Sequence, residues 1–139
     1  CSALTDAHMA EYMGPVFEDI CRQWLWRQFA EGALGFEFDD IGSWWGSDPR
    51  ARKEAEVNIV CVRSNAAVAV GECKWRAEAF PRGELEKLME RSALVNAVSD
   101  VRYYAFSRSG FTAGCSDLVQ GNGAVRLVGF EDMVDSAVS

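Results

Sequence analysis

Apolar residues recur along this chain with two different periods, and the changes of period divide it into elements. From Pro15, the positions Phe17, Ile20, Cys21, Trp24, Leu25 and Phe29 follow the i, i+3, i+4, i+7 spacing of a helix with one buried face. Pro15 suits the first turn of that helix and Gly32 or Gly35 its exit, while residues 1–13 read as a weak helical lead-in. A short strand is predicted over 41–45, followed by the polar loop Gly46-Ser47-Asp48-Pro49-Arg50. Residues 56–62 and 67–75 predict two strands joined by a turn at Ser64-Asn65, a hairpin. Residues 83–95 predict an amphipathic helix with Leu85, Leu88, Met89 and Leu94 on its apolar side. A strand over 101–106, a turn-laden stretch over 110–123 with one helical turn, a strand over 125–129 and a last helical turn over 130–134 complete the chain. Helix, three strands, helix and strand in that order make an α/β fold, a mixed four- or five-stranded sheet flanked by helices in a single domain over 1–139.

The second hairpin strand ends in a way that attracts chemistry. Its apolar run, Ala66 to Val70, closes in Gly71-Glu72-Cys73-Lys74-Trp75, and the period of two puts Glu72 and Lys74 on one face. Charges at the end of a buried strand are costly unless paired or metal-bound. A turn centred on Asn65 sets Asn58 opposite Glu72, Glu56 opposite Lys74 and Val60 opposite Val70, so that the four polar residues share a face. Glu72 is a hard oxygen donor for Mg²⁺ or Mn²⁺, and the Cys73 carbonyl is a second. Lys74 would orient or deprotonate an attacking water or stabilise developing charge on a phosphoryl centre. Glu18, on the first helix, would add an acidic ligand. The plainer account is a structural ion pair at a strand end.

Charge and cysteine content narrow the function classes. The net charge of −7 argues against a general nucleic-acid coat protein. The charge is uneven, however: residues 50–91 hold nine Lys/Arg against seven Glu, and the rest holds five against fourteen Asp/Glu. Five scattered cysteines without a CxxC pair predict reduced thiols, a cytoplasmic setting and no zinc site. The single histidine, His8, has no Cys or second His nearby and reads as an ordinary surface residue, so a Ser-His-Asp mechanism has little support. No apolar run reaches the roughly 20 residues that span a bilayer, so no membrane partner is expected.

Read together, GPVFEDICRQWLWR, IGSWWGSDPRARKEAEVNIV, VGECKW and YYAFSRSGF resemble the C-terminal domain of a family of archaeal-type AAA+ ATPases. That domain is identified as a member of the PD-(D/E)xK restriction-endonuclease-like superfamily, whose core is a helix, a three-stranded meander, a helix and a strand. The resemblance covers Tyr12 to Phe111. It implies a nuclease-like DNA-processing domain, the C-terminal fragment of a larger ATPase, with metal-dependent phosphodiester hydrolysis carried by Glu18, Asn58, Glu72 and Lys74. The family string is Glu-hydrophobic-Asp, and here it is Glu56-Val57-Asn58. An amide oxygen brings no negative charge to a divalent cation, which weakens Mg²⁺ or Mn²⁺ binding; Glu56 and Asp48 are substitute donors. The alternative is a catalytically silent DNA- or protein-binding domain that regulates the ATPase. No Gly-x-x-x-x-Gly-Lys-Ser/Thr loop occurs, so ATP hydrolysis would belong to another segment. The partners implied are the ATPase domain of the parent chain, DNA and, for an assembly, further copies of the chain.

Other residues have a functional and a plain reading. Arg50, Arg52 and Lys53 form a basic run for phosphate contact or a solvated loop. One of Trp44 and Trp45 belongs in the core, the other outside, where base stacking is an option. Ser107-Arg108-Ser109-Gly110 forms an anion-binding turn or an empty one, and Lys87 and Arg91 face the site or water.

Overall fold

Helix α1 runs Asp6–Ala30 and is read from its downstream half, where Phe17, Cys21, Trp24 and Leu25 are all buried. In the computed structural model, which describes residues 6–49 and 52–138 (side chains over 13–49 and 52–134), Arg50 and the His8 side chain lie outside the described residues. Pro15 stands inside α1 rather than in its first turn. A helix-interior proline forfeits a backbone hydrogen bond at about 3 kcal/mol; burial of the stripe that follows offsets this, and the proline itself is exposed. The exit is as expected: Gly32 takes φ +72° and donates its N–H to the Phe29 carbonyl at 3.0 Å.

Five strands follow in the sheet order β1-β2-β3-β4-β5. They are β1 Asp40–Asp48, β2 Lys53–Arg63, β3 Ala66–Lys74, β4 Ala97–Ser107 and β5 Val125–Gly129. The first three pair antiparallel, and β3-β4 and β4-β5 pair parallel, so the sheet is mixed. β1 is longer than its sequence indicates: Gly46, Ser47 and Asp48 pair with Ala55, Glu54 and Lys53 instead of forming a loop. Helices α2 (Arg82–Arg91), extended by a 3₁₀ turn over Ser92–Leu94, and α3 (Ala113–Gly121) cover one face. Helices α1 and α4 (Phe130–Val138) cover the other, where Phe17, Trp24, Ile59, Tyr104, Phe106 and Met133 form one core. The stretch expected to hold one helical turn holds the nine-residue α3, and α4 likewise extends beyond the single turn predicted.

The β2–β3 hairpin turns at Ser64 and Asn65, both at positive φ (53° and 68°), as a two-residue type I′ loop requires. The turn is therefore centred between these residues, not on Asn65, and begins the ladder as Arg63↔Ala66 and Val62↔Ala67. One extra residue, Val68, then enters on β3, and from Cys61↔Ala69 onward the ladder runs Val60↔Val70 and Ile59↔Gly71. The bulge cancels the half-residue offset of the turn and restores the expected pairing of Val60 with Val70. A second irregularity lies between β1 and β2, where Gly42 pairs with Val60 but Trp44 with Val57. The extra residue here belongs to β2, at Asn58 and Ile59. Val57 and Val60 accordingly both pack on the α2 side, while Ile59 packs on the α1 side.

Candidate functional site

Gly71 explains where the site begins. A Cβ there would meet the Phe106 ring at 3.2 Å and the Ile59 Cβ at 3.3 Å, so glycine lets the central strand close against both neighbours just before its charged residues. Glu72 comes next, only 7% exposed, and Lys74 two residues on projects to the same α2 side. The Lys74 Nζ lies 3.3 Å from Glu72 Oε1 and 3.5 Å from Glu84 Oε2, on the first turn of α2. Lys87 Nζ approaches the other oxygen of Glu84 at 3.8 Å. The ammonium is thus clamped between two carboxylates. Burial raises the Glu72 carboxyl above its ordinary range; Lys74 and Arg91 pull it back, and Glu84 pushes it further up.

Asn58 sits at the β2 bulge and reaches across to β3. Its Oδ1 accepts the Cys73 N–H at 2.9 Å, and its Nδ2 donates to Glu56 Oε1 at 3.1 Å. The side-chain amide thereby spans the strands one step beyond Ile59↔Gly71. The bulge also alters the expected common face. Val57 points to the α2 side, so Glu56, its neighbour, belongs to the opposite side, and Glu56 and Lys74 are not partners. Glu18 goes with Glu56: burial raises its carboxyl, Glu56 raises it further and Arg22 lowers it. The Cys73 side chain packs on that α1 side, with its thiol pushed well up by burial and by contact with Cys21.

The structure therefore brings together Glu72 and Lys74 on the α2 side, while Asn58 bonds the Cys73 N–H and the side chain of Glu56, which with Glu18 belongs to the α1 side. For a divalent cation this set offers Glu72, already paired with Lys74, and an amide oxygen already accepting a backbone N–H. Among the described residues, no three acidic, Cys or His side chains converge in metal-binding geometry. As arranged, both donors are committed to partners within the protein.

Arg52 and Lys53 are exposed at the β1–β2 hairpin tip, Lys53 paired with Asp48. Asn58 lies five positions along β2 from Lys53, about 17 Å of extended chain, so neither Arg52 and Lys53 nor Asp48 joins Glu72. Trp44 packs on the core beneath α2, and Trp45 is exposed. The Ser107–Gly110 turn binds itself: Ser107 Oγ accepts the Ser109 N–H, Ser109 Oγ donates to the Arg76 carbonyl, and Arg108 stacks over Trp75. Glu84 is the residue that sequence reasoning missed. Its signal was the helical spacing Glu84, Lys87, Arg91 beside the buried Leu85 and Leu88. Arg91 faces the site too, donating to the Glu56 carbonyl at 3.1 Å.

A family described as archaeal and bacterial proteins of unknown function, DUF234, has a model that matches residues 3–91. This chain belongs to DUF234. The match runs from α1 to the end of α2 and so contains Glu18, Asn58, Glu72, Lys74 and Glu84. No curated protein matches the chain. Among solved structures, the protein of unknown function AF1548 superposes with a TM-score of 0.51 at 15% identity, over 85% of this chain. The DUF234 chain spans 66% of that protein's length. The likeness is one of fold. No helix among the described residues is long and apolar enough to cross a membrane.

Proposed function

We propose that this DUF234 domain is a nuclease-like scaffold that binds instead of cutting: a catalytically silent, cytoplasmic regulatory domain attached to an ATPase. The observation that carries this reading is the clamp on Lys74. A lysine that orients water or meets a phosphoryl oxygen needs an open coordination sphere, and this ammonium has carboxylate oxygens at 3.3 and 3.5 Å from two elements. Asn58 supports the same reading, because its amide is committed to Cys73 and Glu56. The sequence resemblance supplies the ATPase as partner, and the reduced thiols of Cys21, Cys61, Cys73 and Cys115 agree with the compartment.

One observation favours the second reading, hydrolysis of DNA: Glu72 and Lys74 share a face beside the β2 bulge, and the Lys74 side chain is 20% exposed, within reach of solvent. Cleavage of single-stranded, duplex and branched DNA in Mg²⁺ or Mn²⁺ by wild type, Asn58→Asp and Lys74→Ala separates the two. We expect no cleavage by wild type. Wild-type cleavage that vanishes in Lys74→Ala would replace the silent reading with a working nuclease. Cleavage confined to Asn58→Asp would identify a scaffold silenced by the loss of one charge.

A further inference from the structure

Trp45 is 65% exposed, the most open large apolar side chain among the described residues. It lies on β1, the edge of the sheet, which pairs with β2 on one side only. The register places Trp45 directly opposite Glu56 and Ser47 opposite Glu54. Opposed residues of an antiparallel pair project from one face with Cβ atoms about 5 Å apart. Trp44 packs on the other face against the Val57 and Val60 cluster, which fixes the sidedness of its neighbour. Glu18 of α1 adds a third carboxylate, close enough to Glu56 for each to feel the other's charge. Among the described residues, neither Glu54 nor Glu56 takes part in an ion pair.

An open indole beside carboxylates selects one chemistry. The π face and the carboxylates both attract ammonium or guanidinium groups, and together they repel the phosphates of a nucleic acid. The unpaired edge of β1 supplies backbone donors and acceptors to an added strand, whose alternate side chains would face this side. Trp is the residue type that most often anchors such contacts. We infer that the Trp45 face of the β1–β2 ribbon docks an extended segment of a partner protein carrying Lys or Arg at alternate positions. The inference does not depend on whether Glu72 and Lys74 cut DNA, because those residues lie on the other face, beyond the Asn58 bulge.

The test is selection from a displayed library of random decapeptides by the full 139-residue chain, followed by titration of synthetic versions of the selected peptides. Selected sequences are expected to carry two or more Lys/Arg at alternate positions. Trp45→Ala should weaken their binding about tenfold or more and Glu56→Lys at least as much, with thermal unfolding of Trp45→Ala unchanged and binding weakened by added salt. A selection without basic enrichment overturns the proposal, as does binding indifferent to both substitutions. Single-stranded and duplex DNA are titrated alongside; oligonucleotide binding lost in Trp45→Ala would assign the face to nucleic acid instead. Sedimentation completes the test, since self-association lost in Trp45→Ala would make a second copy the occupant.

Discussion

Glu72 and Glu56 lie on neighbouring strands, each within one or two residues of the backbone that Asn58 joins, yet they have opposite surroundings. Glu72 is buried beneath α2 and matched by Lys74, which Glu84 holds from the other side. Glu56 is exposed on an edge ribbon opposite an open tryptophan, its side chain accepting a bond from the amide of Asn58. A single extra residue in β2 causes the difference, because it shifts the alternation of side chains by one position and so turns Glu56 to the face away from Glu72. Charge at the closed site serves the fold first. Charge on the ribbon is left for something outside the molecule. The same residue type, on adjacent strands, therefore argues for structure in one place and for recognition in the other.

That contrast is open to direct attack, most strongly at Lys74. Lys74→Ala takes away the ion-pair partner of the buried Glu72 and leaves Glu84 with Lys87 alone at 3.8 Å, and removal of one partner from a buried pair costs about 3–5 kcal/mol; the lower end applies here because the lysine is one-fifth exposed. Urea denaturation at neutral pH should show this loss, and acidification that protonates Glu72 should recover part of it. A loss under about 0.5 kcal/mol, the range of ordinary surface substitutions, would mean that the clamp is not structural. Gly71→Ala is next in size. The added methyl must push Phe106 and Ile59 apart, at about 1–3 kcal/mol; an unchanged melting temperature would show that the strand has room to spare.

The smallest effect is a change of slope with pH. Burial raises the folded-state affinity of Glu72 for its proton, so the folded protein holds more protons than the unfolded chain just above the ordinary carboxyl value of 4.5. Its contribution to stability is present in full below the unfolded pKa and is lost as pH rises through the raised folded value. Glu72→Gln should remove that loss, so stability measured across this window falls less steeply in the variant. A variant with the wild-type slope would assign the pH dependence to other groups, Glu18 foremost, which is raised in the same sense.

Much of the site was legible because charge at the end of an apolar strand is conspicuous. Glu72 and Lys74 stand out in sequence, and the Val60–Val70 pairing was correctly expected, although for an incomplete reason. The turn is centred half a residue away from Asn65, and the Val68 bulge compensates. Bulges answer to packing on both faces of a sheet, which local sequence does not encode. The β2 bulge was hidden for the same reason, and with it the separation of Glu56 from Lys74. Glu84 was masked by its setting in a polar helix face, where carboxylates ordinarily meet water. Helix α3 was obscured by glycines at 110, 114, 121 and 123. Of these, Gly114 lies against Arg82, where a Cβ would come within 3.1 Å of the arginine Cβ, so glycine there serves the contact between α2 and α3 and does not break the helix.

The parallel half of the sheet has a consequence for how the chain emerges during synthesis. The segment shared across the family ends with α2, when β3 has met β2 but its other edge is bare. Completing that edge requires β4, delivered by a crossover through α2, and the core over α1 lacks Tyr104, Phe106, Val128 and Met133 until β4, β5 and α4 arrive. Parallel pairing of this kind is slow to form because a loop must close before any contact rewards it. A nascent chain paused after residue 91 thus carries an apolar strand with unsatisfied amides and carbonyls along one side, and the segment from β4 to α4 acts as the intramolecular shield that keeps that strand from pairing with its neighbours on the polysome.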